Sequence, residues 1–224
     1  MANRKTWWLL VALLFGLGAI GCTGPRDEES GAATNDAAVE AVEESEGEAE
    51  DVESRTWTND RSRLSGDKLT NFVPFTFEYP ADWQILEDGT GDSPNFVKVE
   101  SMTADQVTIE NFAVGWYAGV SADQVAQILE PQFSQAFPNY RRLAGESHHV
   151  DEIPSPGFTF EVVADIPQGP TTFWGRTIAV PVAEDSGIII VMFASDQAPG
   201  VDSATDVGAA GNLEAILDSF DVQE

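Results

Sequence analysis

The segment Gly187 to Ala194 constrains the fold more than any other. Its centre, Ile188-Ile189-Ile190-Val191-Met192-Phe193, is apolar at every position. A strand with one wet face alternates apolar and polar residues, because successive side chains point to opposite sides. A run without alternation belongs to a strand covered on both faces. The chain therefore needs an apolar layer on each side of a sheet. Two amphipathic segments can supply such layers. Val125, Ile128, Leu129, Phe133 and Phe137 form a stripe at helical spacing, and Ser121 with Gln124 has capping-box spacing at its start. Pro131 interrupts the stripe and predicts a kink or a restart. Leu213, Ile216, Leu217 and Phe220 form a second stripe. Gly208 and Gly211 disfavour helix ahead of it, which leaves Asn212 or Ser203 as its cap.

Other segments alternate. Phe75, Phe77 and Tyr79 flank Thr76 and Glu78, and Pro80-Ala81-Asp82 turns the chain into Trp83 to Leu86. Phe96 to Ser101 reads as a strand. Val107 to Tyr117 changes phase partway, which predicts a bulge near Glu110-Asn111 or burial on both faces. Phe158 to Ile166 and Thr171 to Val182 alternate about a Gln168-Gly169-Pro170 turn. Hairpin-length connections make the sheet largely antiparallel. The expectation is an α+β chain: a three-layer α/β/α sandwich with two main flanking helices.

The N-terminal quarter follows different rules. From Asp27 to Glu53 the chain carries twelve acids and no base. Such a segment buries too little surface to offset its ordering entropy, and its like charges extend it into a tether. Arg55, Arg61, Arg63 and Lys68 form a short basic island around Trp57, so the folded domain is expected to run from 68 to 224. The 224-residue chain has 11 Lys+Arg against 38 Asp+Glu, a formal net charge of -27. That charge repels phosphate backbones and argues against nucleic-acid partners. It suits solubility in high salt, or attraction of a basic partner or divalent cations. One cysteine excludes an intramolecular disulfide, so stability must come from packing.

That cysteine, Cys22, closes a pattern. Arg4 and Lys5 give a positive start, Trp7 to Ile20 is apolar, and Ala19-Ile20-Gly21 precedes Cys22. A spanning helix needs about 20 apolar residues, whereas a shorter run suits a signal sequence. The pattern resembles a bacterial lipoprotein signal with its lipobox, although Ala19 stands where Leu is usual. The resemblance implies a signal peptide at 1–21 and a lipidated (palmitate-bearing) Cys22 at the head of a tether over 22–67. It implies a stable membrane anchor in the bacterial cell envelope, since two or more acyl chains hold a protein where one does so only marginally. Thr23, in place of the Asp that signals inner-membrane retention, points to the outer membrane.

Two segments resemble a known domain family. Phe75-Thr76-Phe77-Glu78-Tyr79-Pro80-Ala81-Asp82-Trp83 is similar to the opening of PsbP-like domains, and Leu213 to Phe220 to their closing helix with its Ser-Phe. That superfamily also includes the Ran-binding protein Mog and DcrB-type envelope lipoproteins. The resemblance implies a binding or assembly role with a protein partner, and the two motifs describe packing, not a functional site.

Candidate chemistry is sparse. The chain has no Gly-x-Ser-x-Gly, His-Glu-x-x-His, P-loop or Gly-x-Gly-x-x-Gly motif. The expectation is a non-catalytic protein without a cofactor. The alternatives are an envelope protein that binds a divalent metal or small ligand, and an enzyme of unknown type. His148, His149, Asp151 and Glu152 are the metal candidates. On a strand, either parity would offer one imidazole and one carboxylate, fewer than the three or four ligands zinc takes. Trp174 and Arg176 pair an aromatic with a cation on one strand and mark the first place to look for a ligand groove. Core packing is the plainer reading for the tryptophans.

Overall fold

The computed structural model describes residues 53–90, 93–137, 139–166 and 169–223. Cys22, the signal segment 1–21 and the tether as far as residue 52 lie outside the described residues. In chain order the elements are β1 (Ser54–Thr58), a 3-10 turn (Arg61–Arg63), α1 (Gly66–Thr70), β2 (Phe75–Pro80), β3 (Gln84–Glu87), β4 (Asn95–Met102) and β5 (Thr108–Ala118). Then follow α2 (Ala122–Ala136), β6 (Arg141–Val150), β7 (Ile153–Ile166), β8 (Gly169–Ala183), β9 (Ser186–Ser195), α3 (Gly211–Asp218) and β10 (Asp221–Val222). Seven strands form one antiparallel sheet in the order β3-β4-β5-β9-β8-β7-β6, and a smaller sheet has the order β1-β2-β10.

β9 lies centrally in the large sheet, and its unbroken apolar run is buried on both sides. Ile189, Val191 and Phe193 face a cluster that includes Val125, Leu129 and Phe133 of α2. Ile188, Ile190, Met192 and Ala194 face the opposite cluster, with Phe75 and Phe77 of β2 and Leu213 and Ile216 of α3. The fold is thus an α+β sandwich about an antiparallel sheet. The second covering layer is more mixed than two helices alone would give, because the small sheet shares it with α3. Its reason is local: α3 has eight residues and cannot cover the face by itself.

The two aromatic motifs meet in that layer. Phe220, just past α3, stacks on Phe75 at 5.1 Å and on Phe77 at 6.0 Å, and Phe77 lies 5.1 Å from Phe112. Trp83 is buried beside them. Ser219 Oγ accepts the Glu78 N–H at 2.9 Å and donates to the Ile216 carbonyl at 2.8 Å, which fixes the closing turn onto β2.

Several expectations need correction. Ordered structure begins before residue 68. β1 pairs with β2 from Ser54↔Pro80 to Thr58↔Thr76, and Trp57 enters the core. One buried residue in five leaves little pattern for a sequence reading to find. α2 runs through Pro131 as one helix, because Pro131 and Gln127 lie on its exposed side, where a freed carbonyl can meet water. Ala210, not Asn212 or Ser203, is the N-cap of α3. The phase change in β5, by contrast, has both expected causes: the register steps at Ile109, beside Glu110, from Ser101↔Glu110 to Met102↔Thr108, and the strand is buried on both faces.

Asn212 has another partner. Its amide donates to Glu110 Oε2 at 3.0 Å, while Oε1 of this buried carboxyl has no hydrogen-bond partner among the described residues. Burial pushes the Glu110 carboxyl above its ordinary 4.5, against the smaller opposing pull of the Asn212 bond. In the window between the ordinary and the raised value, the folded chain holds more protons than the unfolded one. Stability therefore falls as pH rises through that window. Denaturant titrations of the native chain and Glu110→Gln from pH 4 to pH 8 are expected to show the variant gaining steadily on the native chain. A difference that stays constant with pH would contradict this account of Glu110.

Candidate functional site

The candidate site forms at the end of the β6–β7 hairpin, where β7 is no longer paired with β8. β6 and β7 are joined by Asp151 and Glu152, both left-handed, with φ of 49° and 63°. Two such residues make the type I′ geometry that suits a two-residue hairpin. The tip is tied to the small sheet, because Asp151 Oδ2 accepts the Val222 N–H at 3.1 Å. Asp151 and Glu152 therefore occupy a turn and do not share strand faces with the histidines. His149 is exposed opposite Pro154, whereas His148 places Nε2 2.8 Å from Glu146 Oε2. Among the described residues, no group of three or more His, Cys, Asp or Glu side chains is arranged to hold a metal ion.

Glu146 also meets Arg176. The Arg176 Nε lies 3.3 Å from Glu146 Oε2, and Nη2 donates to the Thr205 carbonyl at 2.9 Å. Arg176 is only 4% exposed, so it does not line an open groove. Burial pulls its pKa down, and the charges of Glu146 and Asp206 oppose that pull. Trp174 is half-buried and packs against the core cluster of the small-sheet side. The Glu146–Arg176 contact runs diagonally across β7: Glu146 pairs with Gly157, whereas Arg176 pairs with Thr159. A Cβ at Gly157 would lie 2.3 Å from the Thr177 carbonyl oxygen and 3.4 Å from His148 Cδ2.

Gly157 is also where two strands part. β7 pairs with β8 only from Gly157↔Ile178 onward. Residues 153–156 pair with β6 alone, and residues 179–183 pair with β9 alone. The opening holds two adjoining cavities of about 410 Å³ and about 730 Å³, which share Ala122, Asp123, Glu146, Ser147 and Pro156. The larger is bordered by Pro154 and Pro156 on β7, Pro181 on β8 and Glu184 beyond it. Ser121 N–H donates to Gln124 Oε1 at 3.2 Å, and this capping interaction fixes the start of α2 beside the opening. The arrangement offers carboxylates, carbonyl groups and proline rings, which are groups that bind.

A sequence reading does not find this cleft, although it leaves one trace. Pro154-Ser155-Pro156 and Pro181 fall in segments that are otherwise strands, and proline cannot donate to a ladder. Glu146 carries no such trace, because its partners depend on register.

The described residues define an α+β sandwich with a split antiparallel sheet. No family model and no curated protein matches the chain. Among solved structures, LpqN of Mycobacterium tuberculosis, described as involved in cell envelope biogenesis, is similar at 11% identity and a TM-score of 0.46. The match covers 76% of this chain and 92% of LpqN. A protein of Bacteroides thetaiotaomicron VPI-5482 is similar at 14% identity and a TM-score of 0.38 over 67% of this chain. The chain spans 45% of the length of that protein. Likenesses this faint carry no functional assignment.

Proposed function

We propose that this chain is a lipid-anchored, non-catalytic binding or assembly module of the bacterial cell envelope, of PsbP-like type. The observation that carries the reading is Cys22, set directly behind Trp7 to Ile20 and the positive pair Arg4-Lys5. Acylation of that thiol would fix the chain to a membrane surface, with the acidic segment from Asp27 to Glu53 holding the sandwich away from anionic headgroups. Among the described residues no helix is long and apolar enough to cross a membrane, which leaves anchoring to the N-terminal segment in this reading. The aromatic motifs at 75–83 and 213–220 support the PsbP-like assignment through their joint packing around Phe220. Thr23 favours the outer membrane.

Detergent phase partition of the chain expressed in a bacterium tests the anchor. The native chain is expected in the detergent phase, with diacylglycerol and an amide-linked fatty acid on Cys22 by mass spectrometry. Cys22→Ala is expected in the aqueous phase. A native chain with a free thiol, recovered wholly in the aqueous phase, would end this reading.

A further inference from the structure

The split between β7 and β8 has a chemical polarity of its own. In an antiparallel ladder, consecutive residues turn their N–H and C=O groups to alternate neighbours. The Thr177 carbonyl faces β7, as its approach to Gly157 shows, and the Val180 carbonyl faces β9, close to Gly187. By this alternation the odd-numbered residues of β8 face the split, Pro181 among them. On β7 the even-numbered residues do so, among them Pro154 and Pro156. The β6–β7 ladder continues past both prolines, and the β8–β9 ladder includes Pro181↔Gly187. Pro154 and Pro181 thus bring a carbonyl to the split and no donor, whereas the Pro156 carbonyl meets the Ala179 N–H that closes the ladder beyond Gly157↔Ile178.

The charges around the opening have the same sense. Asp123 and Glu184 border it, both are exposed, and neither carboxylate has a hydrogen bond or ion pair among the described residues. Glu146 lies deeper, already held by Arg176 and His148. Arg142, at the far end of the smaller cavity, is tied to Glu130 at 2.8 Å and stacks over Phe158. The opening therefore offers carbonyl and carboxylate acceptors, has the Ser121 and Ser147 hydroxyls among its side-chain donors, and is negative at its mouth. Its complement is a group that only donates and is positive: an alkylammonium or a guanidinium.

We propose that this split is a binding site for lysine or arginine side chains on an extended segment of a partner protein. The proposal deepens the binding-module reading by naming the chemistry of the partner, but it does not depend on the lipid. The open length of the split suits a chain, and the proline rings give the stems of long cationic side chains an apolar surface to lie on. The carbonyls and the two free carboxylates take the head groups.

The test uses the full chain with Cys22→Ser, so that failure of the anchor cannot be mistaken for failure of the site. A fluorescent decapeptide of alternating Lys and Val is titrated by anisotropy at low and high salt, beside a peptide of alternating Glu and Val. Because the chain is acidic overall, the decisive comparison is between two charge-matched double variants. Asp123→Asn with Glu184→Gln removes two carboxylates at the split. Asp105→Asn with Glu214→Gln removes two exposed carboxylates elsewhere. The first pair is expected to weaken binding about tenfold, as two rim charges would, and the second by less than about twofold. Circular dichroism checks that both variants fold as the parent does. Equal weakening by the two pairs, no binding, or equal binding of the acidic peptide would each overturn the proposal. Spermidine binding as tightly as the decapeptide would overturn the assignment to a protein partner.

Discussion

Replacing Phe220 with Ala is expected to lower the stability of the domain by about 3–5 kcal/mol, the range for truncating a buried aromatic. For a chain of this size that is a fall in melting temperature of roughly 10 °C or more. Phe220 joins the two sheets. It sits outside α3, yet is buried against Phe75, Phe77 and Phe112, with ring centroids at 5.1, 6.0 and 6.1 Å. Those rings come from β2 in the small sheet and β5 in the large one. Truncation leaves a void that neither sheet can close without moving the other, so the cavity cost adds to the lost burial. Phe220→Leu fills most of that space and is expected to cost well under half as much. Differential scanning calorimetry of both variants measures the difference. A change below about 1 kcal/mol for Phe220→Ala would mean the layers are not held together here.

The second large effect concerns a buried ion pair. Lys98 and Glu100 lie on β4 with side chains 5% and 3% exposed, and they are in contact. Thr108 Oγ1 donates to Glu100 Oε2 at 2.9 Å. Removing one partner strands the other charge away from water. Lys98→Ala is therefore expected to cost about 3–5 kcal/mol. Replacing both, as Lys98→Met with Glu100→Leu, removes the two desolvation penalties along with the attraction and is expected to fall within about 1–2 kcal/mol of the native chain. Urea denaturation of Lys98→Met, Glu100→Leu and the double variant gives the coupling directly. A double variant as unstable as the sum of its parts would show the two charges to be independent.

The parts of the fold legible in the sequence are those where burial writes a pattern. The run from Ile188 to Phe193 demanded two covering layers, and the structure supplies both. The alternating Phe75, Phe77 and Tyr79 and the terminal stripe gave β2 and α3. What escaped was the periphery. β6 is an edge strand with one buried residue, Val150, so its sequence shows no periodicity. β1 has only Trp57 to report its burial. Pro154 and Pro156 cannot donate to a ladder, yet β7 tolerates them because their missing donors fall on the side away from β6. The candidate residues divide in the same way. His148, Trp174 and Arg176 were visible as types, but what they touch is fixed by cross-strand register, which no spacing along the chain encodes. Glu146 is the clearest case: it meets Arg176 across an intervening strand, through the pairings Glu146↔Gly157 and Thr159↔Arg176.

The small sheet has a consequence for how the molecule comes into being. Its central strand, β2, is made early, but one of its two neighbours is β10, and the aromatic ring that rests on it belongs to Phe220. A polypeptide emerging N-terminus first cannot seal this layer until Phe220 and β10 are out. Contacts between positions so far apart in the chain are slow to form. Until they do, Phe75 and Phe77 lack that cover, and the nascent domain needs shelter from aggregation.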